Sequence, residues 1–177
     1  MTKTILVFLL FAGSLSAQAA LDPAQVRQLA AEDSTEKVAA IRQLTQTADP
    51  DAVRVLKAMA EDSLFLSGDK ALIIDGDKAV DAITGKPVNM PANPESVTVN
   101  NRIRGELSSA LAALKLFDSD LAVRLASAQK LQSQVTPEMA PLLARALEKE
   151  SDPQIKALLT LADEAAKPDP QALTIEQ

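Results

Sequence analysis

The chain has 177 residues, 24 of them acidic and 18 Lys or Arg, so its net charge is −6 at neutral pH. That balance argues against nucleic acid or anionic lipid as a partner, since both want clustered cations. The chain holds no Cys, His, Trp or Tyr, which removes thiol nucleophiles, thiolate metal sites and His-based triads and implies no cofactor.

The N-terminus has the three parts of a secretory signal peptide over residues 1–19. Lys3 supplies the positive region, Ile5–Ala12 (ILVFLLFA) is an uninterrupted apolar run, and Ala17-Gln18-Ala19 is a small-x-small site. Cleavage is expected after Ala19. An uncleaved anchor is the alternative, but the run falls well short of the ~20 apolar residues of a membrane span. No Cys follows, so lipid modification is excluded. Export to the periplasm follows as the expected localisation. Nothing after Ala20 approaches a spanning length, so the mature chain is not expected to be a channel or permease. Cleavage removes Phe8 and Phe11 and leaves Phe65 and Phe117 as the aromatic side chains, a poor lining for a small-molecule pocket.

One start signal recurs along the rest of the chain. Asp22-Pro23, Asp49-Pro50, Thr136-Pro137 and Asp152-Pro153 each precede an apolar-periodic stretch. The Asp or Thr side chain accepts from an orphan N–H, and Pro suits the first helical position. Helical stripes follow in order: Val26, Leu29 and Ala30; Val38, Ile41 and Leu44, with Asp33 and Glu36 as a capping-box pair; then Ala52, Val55, Leu56 and Met59. After a gap come Ile103, Leu107, Leu111 and Leu114; Leu121, Leu125, Ala128 and Leu131; Met139, Leu142, Leu143, Ala146 and Leu147; and Ile155, Leu158, Leu159 and Ala162. Each stripe reads as core, because a surface helix buries one face.

Residues 34–62 and 119–150 each read as helix, turn, helix, and Asp152-Pro153 opens a third unit. Repeated helix pairs are the pattern of an α-solenoid. The expected fold is therefore mainly α, a HEAT-like helical-repeat domain over residues 20–167. Residues 63–100 are a β-prone insertion within it. Short runs at Leu64–Leu66, Ala71–Ile74 and Val97–Val99, with turn chemistry at Gly68-Asp69, Asp75-Gly76 and Gly85-Lys86-Pro87, predict a hairpin of two or three strands and a long loop over residues 86–96. The tail over residues 168–177 is expected to be loose.

Three groups of residues bear on chemistry. Asp75, Asp77 and Asp81 around Gly76 are a weak calcium candidate, although their spacing departs from an EF-hand and Asp-Gly is also favoured in hairpin turns. Asn100, Asn101, Arg102 and Arg104 read as a helix start, with Asn as cap. Cations there oppose the helix dipole, so each Arg is expected to have a carboxylate partner, inside the domain or on another protein. A carboxylate pair for glycoside hydrolysis is disfavoured, because the acidic residues fall on exposed helix positions and no aromatic platform accompanies them.

The segment VTVNNRIR (Val97–Arg104), followed by LSSALAALKLF (Leu107–Phe117) and AVRLASAQKLQ (Ala122–Gln132), resembles the N-terminal extension of urea ABC transporter permeases of the branched-chain amino acid type. LIIDGDKAVDAITGKPV (Leu72–Val88) and the signal peptide are similar to the same family. The resemblance implies an extracytoplasmic helical-repeat region that precedes a membrane-spanning permease, a part this sequence does not carry. It implies no urea-binding or catalytic residues here. The expected function is then a periplasmic accessory domain of urea uptake, not an enzyme, that contacts the permease core or the solute-binding protein. The alternative is a stand-alone periplasmic interaction module unrelated to urea.

Overall fold

The computed structural model describes residues 21–167. The signal segment, the cleavage position after Ala19 and the tail over residues 168–177 lie outside the described residues. Seven α-helices occur among the described residues: α1 (Pro23–Gln28), α2 (Ser34–Thr47), α3 (Pro50–Ala60), α4 (Asn101–Leu114), α5 (Leu121–Leu131), α6 (Ala140–Lys149) and α7 (Pro153–Ala166). The Asp-Pro starts work as caps. Asp22, Asp49 and Asp152 accept backbone N–H bonds at the heads of α1, α3 and α7, each with Pro in the first turn. Asp33 caps α2 and Asp120 caps α5 without a following Pro.

Thr136-Pro137 behaves differently from the expectation. Thr136 makes no side-chain cap bond, and a 3-10 turn over Pro137–Met139 precedes α6. Pro141 explains this: it has no N–H to donate to the Pro137 carbonyl, so an α-helix beginning at Pro137 would lack the bond after its first. The chain winds the tighter turn instead, with Met139 N–H on the Thr136 carbonyl at 3.0 Å.

Residues 63–100 hold five strands rather than two or three. They are β1 (Leu64–Ser67), β2 (Lys70–Asp75), β3 (Lys78–Asp81), β4 (Pro87–Val88) and β5 (Glu95–Ser96), antiparallel in the order β4-β3-β2-β1-β5. The two outer strands are two residues each, too short for any alternation to register in the sequence. They occupy the stretch expected as a long loop. The hairpins β1–β2 and β2–β3 turn on Gly68 and Gly76, both at φ +58°, where a two-residue turn asks for a left-handed residue. Val97–Val99, expected as β-prone, adds no strand; Val97 N–H bonds the Leu64 carbonyl at 3.0 Å and then the chain enters α4.

Two apolar cores meet at α4. Ile103, Leu107, Ala110 and Leu114 pack with α2, α3 and the inner face of the sheet. Ala112 and Ala113 face the second core, built from Leu131, Leu142, Leu143, Ile155 and Leu159 of α5, α6 and α7. The helix pairing differs from the expected phase. Residues 119–150 do not form one pair: α5 makes its main helix contacts with α4 and α7, and α6 packs on α7. Thus α7 completes a pair with α6 instead of opening a third unit. The longer connection through the 3-10 turn carries α6 away from α5.

Polar side chains tie the layers. Arg54 of α3 donates through Nη2 to the carbonyls of Ala82 and Ile83, at 3.0 and 2.7 Å, and also pairs with Asp51. It fastens the end of β3 to the helices. Arg42 of α2 reaches Glu106 of α4 at 2.8 Å and Glu138 of the 3-10 turn at 3.0 Å. Lys37, buried on α2, donates to the Thr98 carbonyl at 2.7 Å and so anchors the segment entering α4. Among the described residues no helix is long and apolar enough to cross a membrane.

Candidate partner-binding groove

Along α4 and the turn that follows it, Arg104, Ser108, Leu111, Ala112 and Lys115 recur at the spacing that puts residues on one helix face. On α5, Val123, Ala126, Ser127 and Lys130 do the same. These faces flank an open groove of about 530 Å³, and Ala60 at the end of α3 completes its lining. The groove exists because its walls are small. Ser108, Ala112, Ala126 and Ser127 stand where larger side chains would fill the space between the helices.

The helices run antiparallel across it. Lys130 Nζ donates to Ser108 Oγ at 2.8 Å, and Ser109 Oγ donates to Gln134 Oε1 at 3.2 Å, so the end of α5 lies beside the middle of α4. Along α4, Arg104 therefore stands at one end of the groove, Lys130 meets it one turn on at Ser108, and Lys115 stands at the other end. Lys115 and Lys130 form no ion pair among the described residues, while Arg104 pairs with Asp62 at 2.8 Å. A chain with an excess of acidic residues thus concentrates cations around an apolar floor.

The residues singled out in the sequence part company here. Asn100 caps α4, accepting from Ile103 N–H at 2.9 Å, and its Nδ2 donates to Ser34 Oγ at 3.0 Å. It lines a separate hollow of about 300 Å³ with Ser34, Lys37 and Thr98. Asn101 and Arg102 are exposed at the start of α4. Arg102 forms no ion pair among the described residues. It adds a minor contribution to Asp33, whose carboxyl is lowered mainly by the backbone N–H groups of Thr35 and Glu36. Arg104 alone reaches the groove.

Asp75, Asp77 and Asp81 do not converge. Asp75 pairs with Lys78 across the β2–β3 turn, whereas Asp81 lies at the far end of β3, opposite Leu72. Asp81 is occupied locally, accepting from Ile83 N–H, Thr84 N–H and the Thr84 hydroxyl. Burial opposes these bonds, and the carboxyl still sits below its ordinary value. Among the described residues no three acidic side chains gather closely enough to hold a metal ion. The three residues serve two turns.

Sequence reading missed Lys115 and Lys130 as site residues, because a lone Lys on an amphipathic helix reads as solvated surface. The available signal was a pairing of two faces: Ser108-Ala112 and Ala126-Ser127 are small where a neighbouring helix would otherwise demand bulk. It also missed the Arg124–Glu150 pair beneath α6. Arg124 grips both Glu150 oxygens, at 2.8 and 3.2 Å, and Glu150 also accepts from Ser151 and Asp152 N–H. The Arg124 guanidinium is the largest cause that holds the Glu150 carboxyl down at about 2, against the opposing effect of burial. Charge-assisted bonds of this kind position helices; they leave no free carboxyl for catalysis.

No protein-family model matches the chain, and a search of curated proteins and of solved structures found no significant match.

Proposed function

We propose that this protein is an exported, HEAT-like accessory domain associated with a urea ABC transporter permease, and that it acts by protein contact rather than by catalysis. The observation that carries the reading is where the resemblance falls. LSSALAALKLF and AVRLASAQKLQ supply α4 and α5, and between them they line the groove save for Ala60 and Arg104. The Asn-Asn-Arg-Ile-Arg motif places Arg104 at its end. The most specific part of the resemblance, Asn100–Arg104, supplies Arg104 to the groove, and two further resembling segments build its walls.

The packing supports a repeat reading in a revised phase. Consecutive helices touch as α2 on α3, α4 on α5 and α6 on α7, with α2 and α3 both on α4, and α5 on α7, across the units. Export rests on Lys3, the Ile5–Ala12 run and the Ala17–Ala19 site. In the periplasm, a domain with no helix among its described residues long and apolar enough to span a membrane influences transport through a permease core or a solute-binding protein.

The test is affinity capture from the cell envelope, using the full chain co-produced with urea transporter subunits. Recovery of the permease or solute-binding protein, and a mature N-terminus at Ala20, are expected. Recovery of neither subunit from cells that make both contradicts the reading. A specific partner outside the transporter moves the protein to a stand-alone interaction module.

A further inference from the structure

We propose that the groove between α4 and α5 receives an acidic amphipathic helix of a protein partner. The inference rests on the protein-contact reading and names the chemistry of the contact. Three observations converge on that occupant. The first is length: from Arg104 to Lys115 the wall covers about 16 Å at 1.5 Å per residue, which matches roughly three turns of a docked helix. The second is the lining. Leu111, Ala112, Val123 and Ala126 offer an apolar floor, and small side chains let another backbone come close. Such a floor accepts apolar side chains spaced as i, i+3 or i+4, and i+7.

The third is charge. Lys115 stands at one end and Lys130 meets the middle of α4 at Ser108, and neither is neutralised by a carboxylate among the described residues. Cations separated along the groove do not converge on one small anion. They suit carboxylates placed about two turns apart on a rigid segment, since Lys130 sits at Ser108, about 10 Å along α4 from Lys115. Nucleic acid is opposed by the net charge of −6. An acidic helix is repelled by most of this surface and attracted to the groove, so charge supplies register as well as attraction.

The experiment is fluorescence anisotropy on the full mature chain. The probe is a labelled helical peptide of about 15 residues with Leu at the i, i+3 and i+7 positions and Glu flanking them. A peptide with Lys in place of every Glu is the control. The Glu peptide is expected to bind, and to weaken about tenfold or more from low to high salt. The Lys peptide is expected not to bind. The double variant K115E/K130E is expected to lose about tenfold or more in affinity. Ala126 is exposed, so A126W fills the groove without touching either core and is expected to block binding with both Lys in place. Thermal melts of both variants confirm folding.

Absence of Glu-peptide binding at low salt overturns the inference. Equal binding of the Lys peptide, or indifference to both variants, does so too. Transporter capture that survives both variants places the contact on another face; the groove inference then fails while the contact reading stands.

Discussion

One guanidinium nitrogen of Arg104 reaches both carboxylate oxygens of Asp62, at 2.8 and 3.1 Å. Asp62 sits just beyond α3 in the left-handed region, at φ +56°. Ser63 N–H bonds the Ala58 carbonyl at 2.8 Å and Asp62 N–H bonds the Met59 carbonyl at 3.2 Å. That pattern is a Schellman C-cap, with Asp where Gly is usual. The pair thus joins the stop of one helix to the cationic end of the groove.

The conformation at Asp62 outweighs its ion pair. Exposed pairs are worth about 0–1 kcal/mol, while a left-handed Ala is strained by about 1–2 kcal/mol relative to Gly. Urea melts should therefore rank D62G above D62A by about 1 kcal/mol, with R104A within about 0.5 kcal/mol of the parent. D62A matching D62G would show that the cap is not strained.

Acid stability should turn on Glu150. Its carboxyl falls from the ordinary 4.5 to about 2, chiefly through Arg124, so the folded state binds fewer protons than the unfolded state below the ordinary value. The stabilisation is fully present above about pH 4.5 and is lost as pH falls toward 2. Its magnitude is on the order of 3 kcal/mol at neutral pH. Asp81 and Glu138 are lowered too and act in the same direction. E150Q should destabilise the neutral-pH fold by about 3 kcal/mol and flatten the decline between pH 4.5 and 2. Chemical denaturation across that range reads both effects, and an unchanged slope would remove Glu150 from the account.

The sheet should loosen when Arg54 is shortened. R54M leaves the Ala82 and Ile83 carbonyls without the guanidinium that now bonds them, at a cost of about 2 kcal/mol. Gly85 stands at φ +67° with the guanidinium 3.4 Å from where a Cβ would lie, so G85A adds strain of about 1 kcal/mol. Hydrogen exchange in R54M should rise across β3 and β4 before it rises in α4. Uniform exchange would contradict the clamp.

Leu107 is fully buried on the helix that borders both cores. L107A should cost about 3 kcal/mol, in a single cooperative transition seen by probes on α2 and on α7 alike. Separate transitions would mean that the two cores fold independently.

Much of the helical frame was legible because it depends on short-range chemistry. The Asp-Pro caps located α3 and α7 and the 3.6-residue stripes α2 and α5, since each signal lies within a turn of the helix it defines. The pairing of helices was not legible. Residues 119–150 look like one hairpin because Leu121–Leu131 and Met139–Leu147 are consecutive stripes, but the stripe on α7 offers α5 a better face. Strands β4 and β5 escaped notice because their pairing is set by β3 and β1 rather than by their own residues. For the groove, the sequence pointed to Arg104 and placed it at a helix start. Its companions Lys115 and Lys130 became visible only when α4 and α5 were brought side by side.

Photocrosslinking in living cells from a single groove position tests directly whether the groove meets a transporter subunit. A photoreactive residue at the exposed Ala126 sits on the groove wall, and one at Lys86 sits in the turn that leads into β4, remote in sequence from α4 and α5. The account predicts a crosslink from position 126 to a urea transporter subunit, lost in K115E/K130E, and none from position 86. A crosslink from position 86 with none from position 126, or no transporter crosslink from either, would contradict it.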